Sequence, residues 1–215
     1  MNVEKFIEIF SGLERAYGSY EPDGNVRSDG KKGGKAFINK RLVTKELWVN
    51  HLQGKQSLGI IPITDNSTCR WGCIDIDPRN YTTFSEKKIV DIIRDNQLPL
   101  IAVRSKSGGL HLFLFLNDWY PVKEVLKVLN EWNKTFFYSE EVFPMNKCLN
   151  MPYFNMDQTT EFAYNDNNTP VMINNFLEMI TKKTVTLEQL NNIKVKEYEP
   201  ESDWKHYPPC VQKMI

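Results

Sequence analysis

The stretch Trp71-Gly72-Cys73-Ile74-Asp75-Ile76-Asp77-Pro78 decides the fold. Side chains in an extended strand alternate between two faces, and residues two apart repeat at about 6.6 Å. Asp75 and Asp77 therefore share one face, and Ile74 and Ile76 point into a core behind them. Pro78 ends the ladder and puts Asp77 at its rim. A carboxylate in such an apolar run is costly to bury without a metal or hydrogen-bond partner. Two on one face can share divalent cations that hold a triphosphate and activate an attacking hydroxyl.

Downstream, Val103-Arg104-Ser105-Lys106-Ser107-Gly108-Gly109-Leu110-His111-Leu112-Phe113 reads as two strands joined by a tight Gly-Gly connection. Ser105, Lys106, Ser107, Gly108 and Gly109 offer hydroxyls, a cation and backbone amides to an anion. The spacing is not that of a P-loop. His111, Phe113 and Phe115 share one face, with Leu110, Leu112, Leu114 and Leu116 on the other. At the open end of its strand, His111 can contact a phosphate or orient a metal-bound group.

Working outward, the pattern predicts a helix over 3–17, an irregular Gly-rich segment over 18–34, and a short helix from a Thr44 cap to Leu52, stopped by Gly54. Strands are expected at 57–63, 71–76, 100–104 and 110–116. Helices are expected at 85–96, 121–136 and 171–180, with Trp132 in the core. Glu140 to Phe143 and Cys148 to Phe154 read as extended, Thr186 to Leu190 as a turn of helix. Alternating strands and helices favour an α/β or α+β sheet protein over a bundle. The expected organisation is an N-terminal helical and α/β portion with a basic loop (1–68), a catalytic portion (69–180) and a C-terminal extension (181–215).

The 215 residues carry 27 basic and 27 acidic side chains, so net charge neither demands nor excludes nucleic acid. Local charge says more: Arg27 to Lys55 holds eight Lys and Arg against Asp29 and Glu46. Lys31, Lys32, Lys35, Lys40 and Arg41 are thus candidates for a polyanion path, with Phe37, Trp48, Tyr153 or Tyr164 as stacking aromatics. No apolar run approaches the roughly 20 residues of a membrane span. The start of the chain lacks the layout of a secretory signal, so a cytoplasmic protein is expected. Cys69, Cys73, Cys148 and Cys210 form no Cys-x-x-Cys pair and read as ordinary thiols.

These residues resemble the archaeo-eukaryotic primase superfamily, nearest to primase domains of TOTE-type conflict systems and mobile elements. Asp75-Ile76-Asp77 looks like its paired-acid motif, and Ser105 to His111 like its small-residue and histidine motif. The likeness spans roughly residues 40 to 180. It implies an RRM-like antiparallel catalytic sheet joined to a smaller N-terminal α/β lobe. It also implies a DNA primase or primase-polymerase, transferring nucleotides from NTPs or dNTPs on a single-stranded DNA template and primer, with Mg2+ or Mn2+. By the resemblance, Asp75 and Asp77 bind metal, and Ser105, Lys106, Ser107, Gly108, Gly109 and His111 hold the triphosphate. Glu141 is favoured as the third acid, with Asp157 the alternative. A cysteine pair common upstream in related domains is absent from Gly33 to Lys40, so no zinc is expected there. The chain would be a standalone primase, a partner of a separate helicase, or a catalytic region of a longer protein. A metal-dependent nuclease or phosphodiesterase, and a non-catalytic nucleic-acid or nucleotide-binding module, remain the competing classes.

Overall fold

A computed structural model describes residues 3–26, 32–81, 83–137 and 140–193. The elements run α1 (Val3–Ile9), β1 (Tyr17–Val26), β2 (Lys32–Asn39), α2 (Lys45–Leu52), β3 (Gly59–Ile60), β4 (Thr68–Ile76), α3 (Glu86–Asp95), β5 (Leu100–Arg104) and β6 (Leu110–Pro121). They continue with α4 (Val122–Phe136), β7 (Glu141–Phe143), β8 (Leu149–Asn150), β9 (Ala163–Tyr164), β10 (Pro170–Val171), α5 (Ile173–Lys183) and α6 (Leu187–Asn192). A 3-10 turn over Pro78–Asn80 follows β4. The fold is mixed α+β, with two sheets whose paired strands are antiparallel, consistent with a primase-type fold.

The larger sheet has the order β10-β9-β5-β6-β4-β7, and the smaller β2-β1-β3-β8. In the larger sheet, side-chain alternation produces two unlike faces. Ile74, Ile76, Leu100, Ala102, Leu110, Leu112 and Leu114 pack against Ile89 and Ile93 of α3 and Val125, Leu129 and Trp132 of α4. This is a closed apolar layer, and Trp132 belongs to it, 1% exposed. Trp71, Cys73, Phe113 and Phe115 face the other way, toward Phe6 and Phe10, Trp48 of α2 and Phe176 of α5. Phe10 meets Trp71, Phe113 and Phe115 at ring separations of 5.3–5.8 Å, all edge-on.

Antiparallel register then places the site. Along β4 the second face reads Trp71, Cys73, Asp75, and along β6 it reads Phe115, Phe113, His111. The pairs Trp71↔Phe115, Cys73↔Phe113 and Asp75↔His111 put the apolar ends together and the polar ends together. The aromatic core thus ends where the acids begin.

Three local expectations are corrected. The first helix stops at Ile9 rather than Tyr17, because the chain turns at Ser11 and the Leu13 amide donates to Ile61 O at 2.8 Å. The segment expected to be irregular forms most of a hairpin, pairing Tyr17↔Asn39 through Pro22↔Gly34. Its Gly and charged content hid a period that only the partner strand completes. Thr44 does cap α2 in position, but its side chain makes no capping hydrogen bond. Among smaller differences, the extended runs at 57–63 and 148–154 shrink to the two-residue strands β3 and β8, which pair with each other. Val185 returns to the sheet, exchanging backbone bonds with Phe115 and Asn117, both at 3.1 Å, and Leu190 of α6 is fully buried. Residues 194–215 of the expected C-terminal extension lie outside the described residues.

Candidate functional site

Asp75 sits between two neighbours in one row across the sheet: it pairs with His111 on β6 and with Glu141 on β7. Adjacent strands lie about 4.8 Å apart, so these three side chains project from one patch. All three line a cleft of about 860 Å³, together with Lys106, Ser107, Lys147, Tyr20 and Glu161. His111 Nε2 is 3.5 Å from Asp75 Oδ1. Burial lowers the His111 pKa to about 4, leaving a neutral imidazole at pH 7. His111 therefore offers a neutral N–H or a lone pair rather than a fixed positive charge.

The acids are already engaged. Arg79 grips both oxygens of Asp77, its Nε donating at 2.9 and 3.0 Å and a terminal nitrogen adding a further bond. The Arg79 backbone amide donates to Asp77 Oδ1 at 3.0 Å, so Asp77 also caps the turn that follows β4. Glu141 is paired with Lys147. Asp75 and Glu141 face the cleft, whereas Asp77 lies one residue past the strand and is not among the cleft-lining residues. Asp157 is exposed in a turn and does not line the cleft, although Asn155 and Gln158 do.

The phosphate-sized loop divides in two. Lys106 and Ser107 line the cleft, while Ser105, Gly108 and Gly109 shape the loop. The Ser105 amide donates to Gly109 O at 2.8 Å and the Gly108 amide to Ser105 O at 3.0 Å. Those two amides serve the turn rather than an anion. Buried Ser105 shares a hydroxyl contact of 3.2 Å with Ser107. At Gly109 a Cβ would lie 2.1 Å from Ile76 O and 2.8 Å from Pro78 Cδ. Glycine is required there because the loop crosses directly over the acid-bearing strand end. Lys106 reaches across to the smaller sheet, its Nζ 3.4 Å from the centroid of the Tyr20 ring.

Glu161 was not singled out from the sequence. It is 9% exposed on the segment leading into β9, and burial raises its pKa to about 7 against the opposing charges of Lys106 and Arg104. A lone glutamate between Thr160 and Phe162 carries no local signal of this burial. Tyr20 was hidden in the segment read as irregular. His51, by contrast, is fully occupied: Leu58 N–H donates to Nδ1 at 3.1 Å and Nε2 bonds Pro152 O at 2.9 Å.

Among the described residues, no preformed group of three or more His, Cys, Asp or Glu stands ready to hold a metal. The donor chemistry still fits Mg2+ or Mn2+, because hard cations take oxygen ligands and Mg2+ commonly uses one or two carboxylates plus substrate phosphates. Cys69 and Cys73 fall on opposite faces of the sheet, since a bulge separates Cys69 from Trp71. Burial pushes the Cys69 thiol up to about 12, and raises Cys73 as well.

Lys35, Lys40 and Arg41 are exposed on or just after β2, an edge strand, and do not line the cleft. Lys32 opens β2, and Lys31 lies outside the described residues. Trp48 and Tyr153 are 2% and 1% exposed in the aromatic core, so they cannot stack on bases; Phe37 is 42% exposed. No helix among the described residues is long and apolar enough to cross a membrane.

A search of curated proteins found no match. A family model described as "TOTE conflict system, Archaeo-Eukaryotic Primase domain" matches residues 26–147, more than half of the chain. The matched span contains Asp75, Asp77, the loop from Ser105 to His111, and Glu141. At family level this supports a primase-type nucleotidyltransferase. The chain belongs to the archaeo-eukaryotic primase domain family of TOTE conflict systems.

Proposed function

We propose that the cleft carries out template-directed nucleotidyl transfer, extending or initiating a strand on single-stranded DNA from NTPs or dNTPs with Mg2+ or Mn2+. The observation that carries this reading is the single row of His111, Asp75 and Glu141 on three adjacent strands, lining one cleft with Lys106 and Ser107. Acids and phosphate donors lining one cleft suit a charged triphosphate with its cations better than a neutral ligand.

Asp75 and Glu141 would hold the divalent cations, and Asp77 would join them by exchanging the Arg79 guanidinium for a cation. When bound, such cations favour the attacking alkoxide and offset charge on the triphosphate and pyrophosphate. The reacting 3′-hydroxyl attacks the α-phosphorus, and pyrophosphate leaves. Lys106 turns from the Tyr20 ring to the triphosphate oxygens, and Ser107 donates its hydroxyl to them. Neutral His111 donates an N–H to a phosphate oxygen in a water-poor corner of the cleft. The exposed basic residues of β2, with Phe37, would carry the template strand, and a separate helicase would supply it.

Incubating single-stranded DNA with labelled nucleotides, in separate NTP and dNTP pools, tests the reading. Labelled product complementary to the template is expected with the native chain and not with Asp75→Ala or Asp77→Ala. Release of nucleotides from labelled DNA without incorporation would point instead to a phosphodiesterase. Binding without product would point to a non-catalytic module.

A further inference from the structure

Glu140 immediately precedes β7 and Glu141 opens it, and alternation sends the two consecutive glutamates to opposite faces. Glu141 stands in the row with Asp75 on the cleft side. Glu140 goes beneath the sheet, on the side of Val142 and α4, and is 8% exposed. Burying a carboxylate is costly unless it is bonded. This one is bonded to the acid motif. Glu140 Oε2 accepts from Asn80 Nδ2 at 2.7 Å and from the Asp77 backbone N–H at 3.4 Å. The Glu140 main chain is fixed in turn by Asn133, buried in α4. The Glu140 amide donates to Asn133 Oδ1 at 2.9 Å, and Asn133 Nδ2 donates to Glu140 O at 2.7 Å.

This network reaches both ends of the acid cluster. Through its backbone, held by Asn133, Glu140 sets where Glu141 leaves β7. Through its side chain, it sets the turn that carries Asp77. We propose that Glu140 is a positioning residue, bracing Asp77 and Glu141 from beneath the sheet so that their carboxylates can converge with Asp75 on a divalent cation. The proposal rests on the metal-binding reading of the cleft given above. Such outer partners typically change metal affinity by about 10- to 100-fold when removed.

Mn2+ binding, followed by loss of the free-ion EPR signal, tests this on the full chain with Glu140→Ala, Glu140→Gln and Asn80→Ala. Glu140→Ala is expected to weaken Mn2+ binding by about 10- to 100-fold and to speed amide exchange across residues 77–81. Glu140→Gln keeps an oxygen that accepts from Asn80 and the Asp77 amide, so it should bind close to the native level. Asn80 is exposed, so Asn80→Ala gives a folded variant even where Glu140→Ala does not, and it should show a weaker form of the same loss. In the double variant the two losses should fall short of their sum, because both substitutions cut one network. Native affinity in both Glu140→Ala and Asn80→Ala overturns the proposal. So does a Glu140→Gln loss as large as that of Glu140→Ala, which would make Glu140 a direct charged ligand. Failure of the native chain itself to bind Mn2+ is a different result: it removes the metal reading of the cleft, and the brace with it.

Discussion

The two faces of the larger sheet come from the same strands and do opposite work. Beneath β4, β6 and β7, Ile74, Ile76, Leu110, Leu112 and Val142 are sealed by α3 and α4. Above, the same strands run from Trp71, Phe113 and Phe115 to Asp75, His111 and Glu141, and the covering layer opens into the cleft. The difference teaches where function is placed: the closed face supplies rigidity, and the open face uses it to hold polar groups in register. Glu140 is the exception beneath the sheet, and its partners lead straight back to the acids above.

Neighbouring substitutions on β4 should separate the faces most strongly. Asp75→Asn is expected to lower strand extension by on the order of 10³-fold, with thermal unfolding little changed. Ile74→Ala, one residue away and fully buried, should cost about 2–5 kcal/mol of stability while leaving residual folded protein able to bind Mn2+. Denaturant unfolding and Mn2+ titration on the same samples check both. If Ile74→Ala abolished metal binding in the folded state, the two faces would not be separable.

The two buried histidines give a second contrast. His111→Ala should reduce extension by about 10²-fold and His51→Ala should not act on chemistry directly. His51→Ala leaves the Leu58 amide and Pro152 carbonyl unpaired, a cost of about 1–3 kcal/mol for each buried group, and should be read in melting temperature.

Smaller effects should appear with pH. His51 and His111 have folded pKa values near 4 against an ordinary 6.5, so the unfolded chain binds more protons between those values. Their contribution is complete above about pH 6.5 and is lost as pH falls toward 4. Glu161 has the opposite sign: its folded pKa of about 7 exceeds 4.5, so its contribution is present at low pH and lost as pH rises through 7. Glu161→Gln should therefore raise melting temperature relative to the native chain more at pH 8 than at pH 5. An equal shift at both values would show that Glu161 does not titrate in this window.

The row at the site was legible because alternation is a local rule. Asp75 opposite the apolar face of Ile74 and Ile76, His111 with Phe113 and Phe115, and the loop between β5 and β6 all follow from short-range pattern, whereas Asp77 falls just past the strand and outside the cleft lining. What pairs with what was not legible. The β1–β2 hairpin is glycine-rich, and β3 and β8 are two residues each and nearly ninety positions apart in the chain. The Arg79 grip on Asp77 follows from a tight turn after Pro78, and Glu161 acquires its burial only when β9 docks beside β5. The family resemblance supplied Glu141 and left Asp157 open. The structure puts the former beside Asp75 and the latter in an exposed turn, and Glu141→Gln against Asp157→Asn would decide between them.

The most direct measurement is a single-turnover reaction of the native chain on a primed single-stranded template, counting incorporated nucleotide and released pyrophosphate together. The account predicts equimolar amounts of both, only with the complementary nucleotide and only with Mg2+ or Mn2+ present. Incorporation undiminished by chelator, or pyrophosphate released with no strand growth, would contradict it.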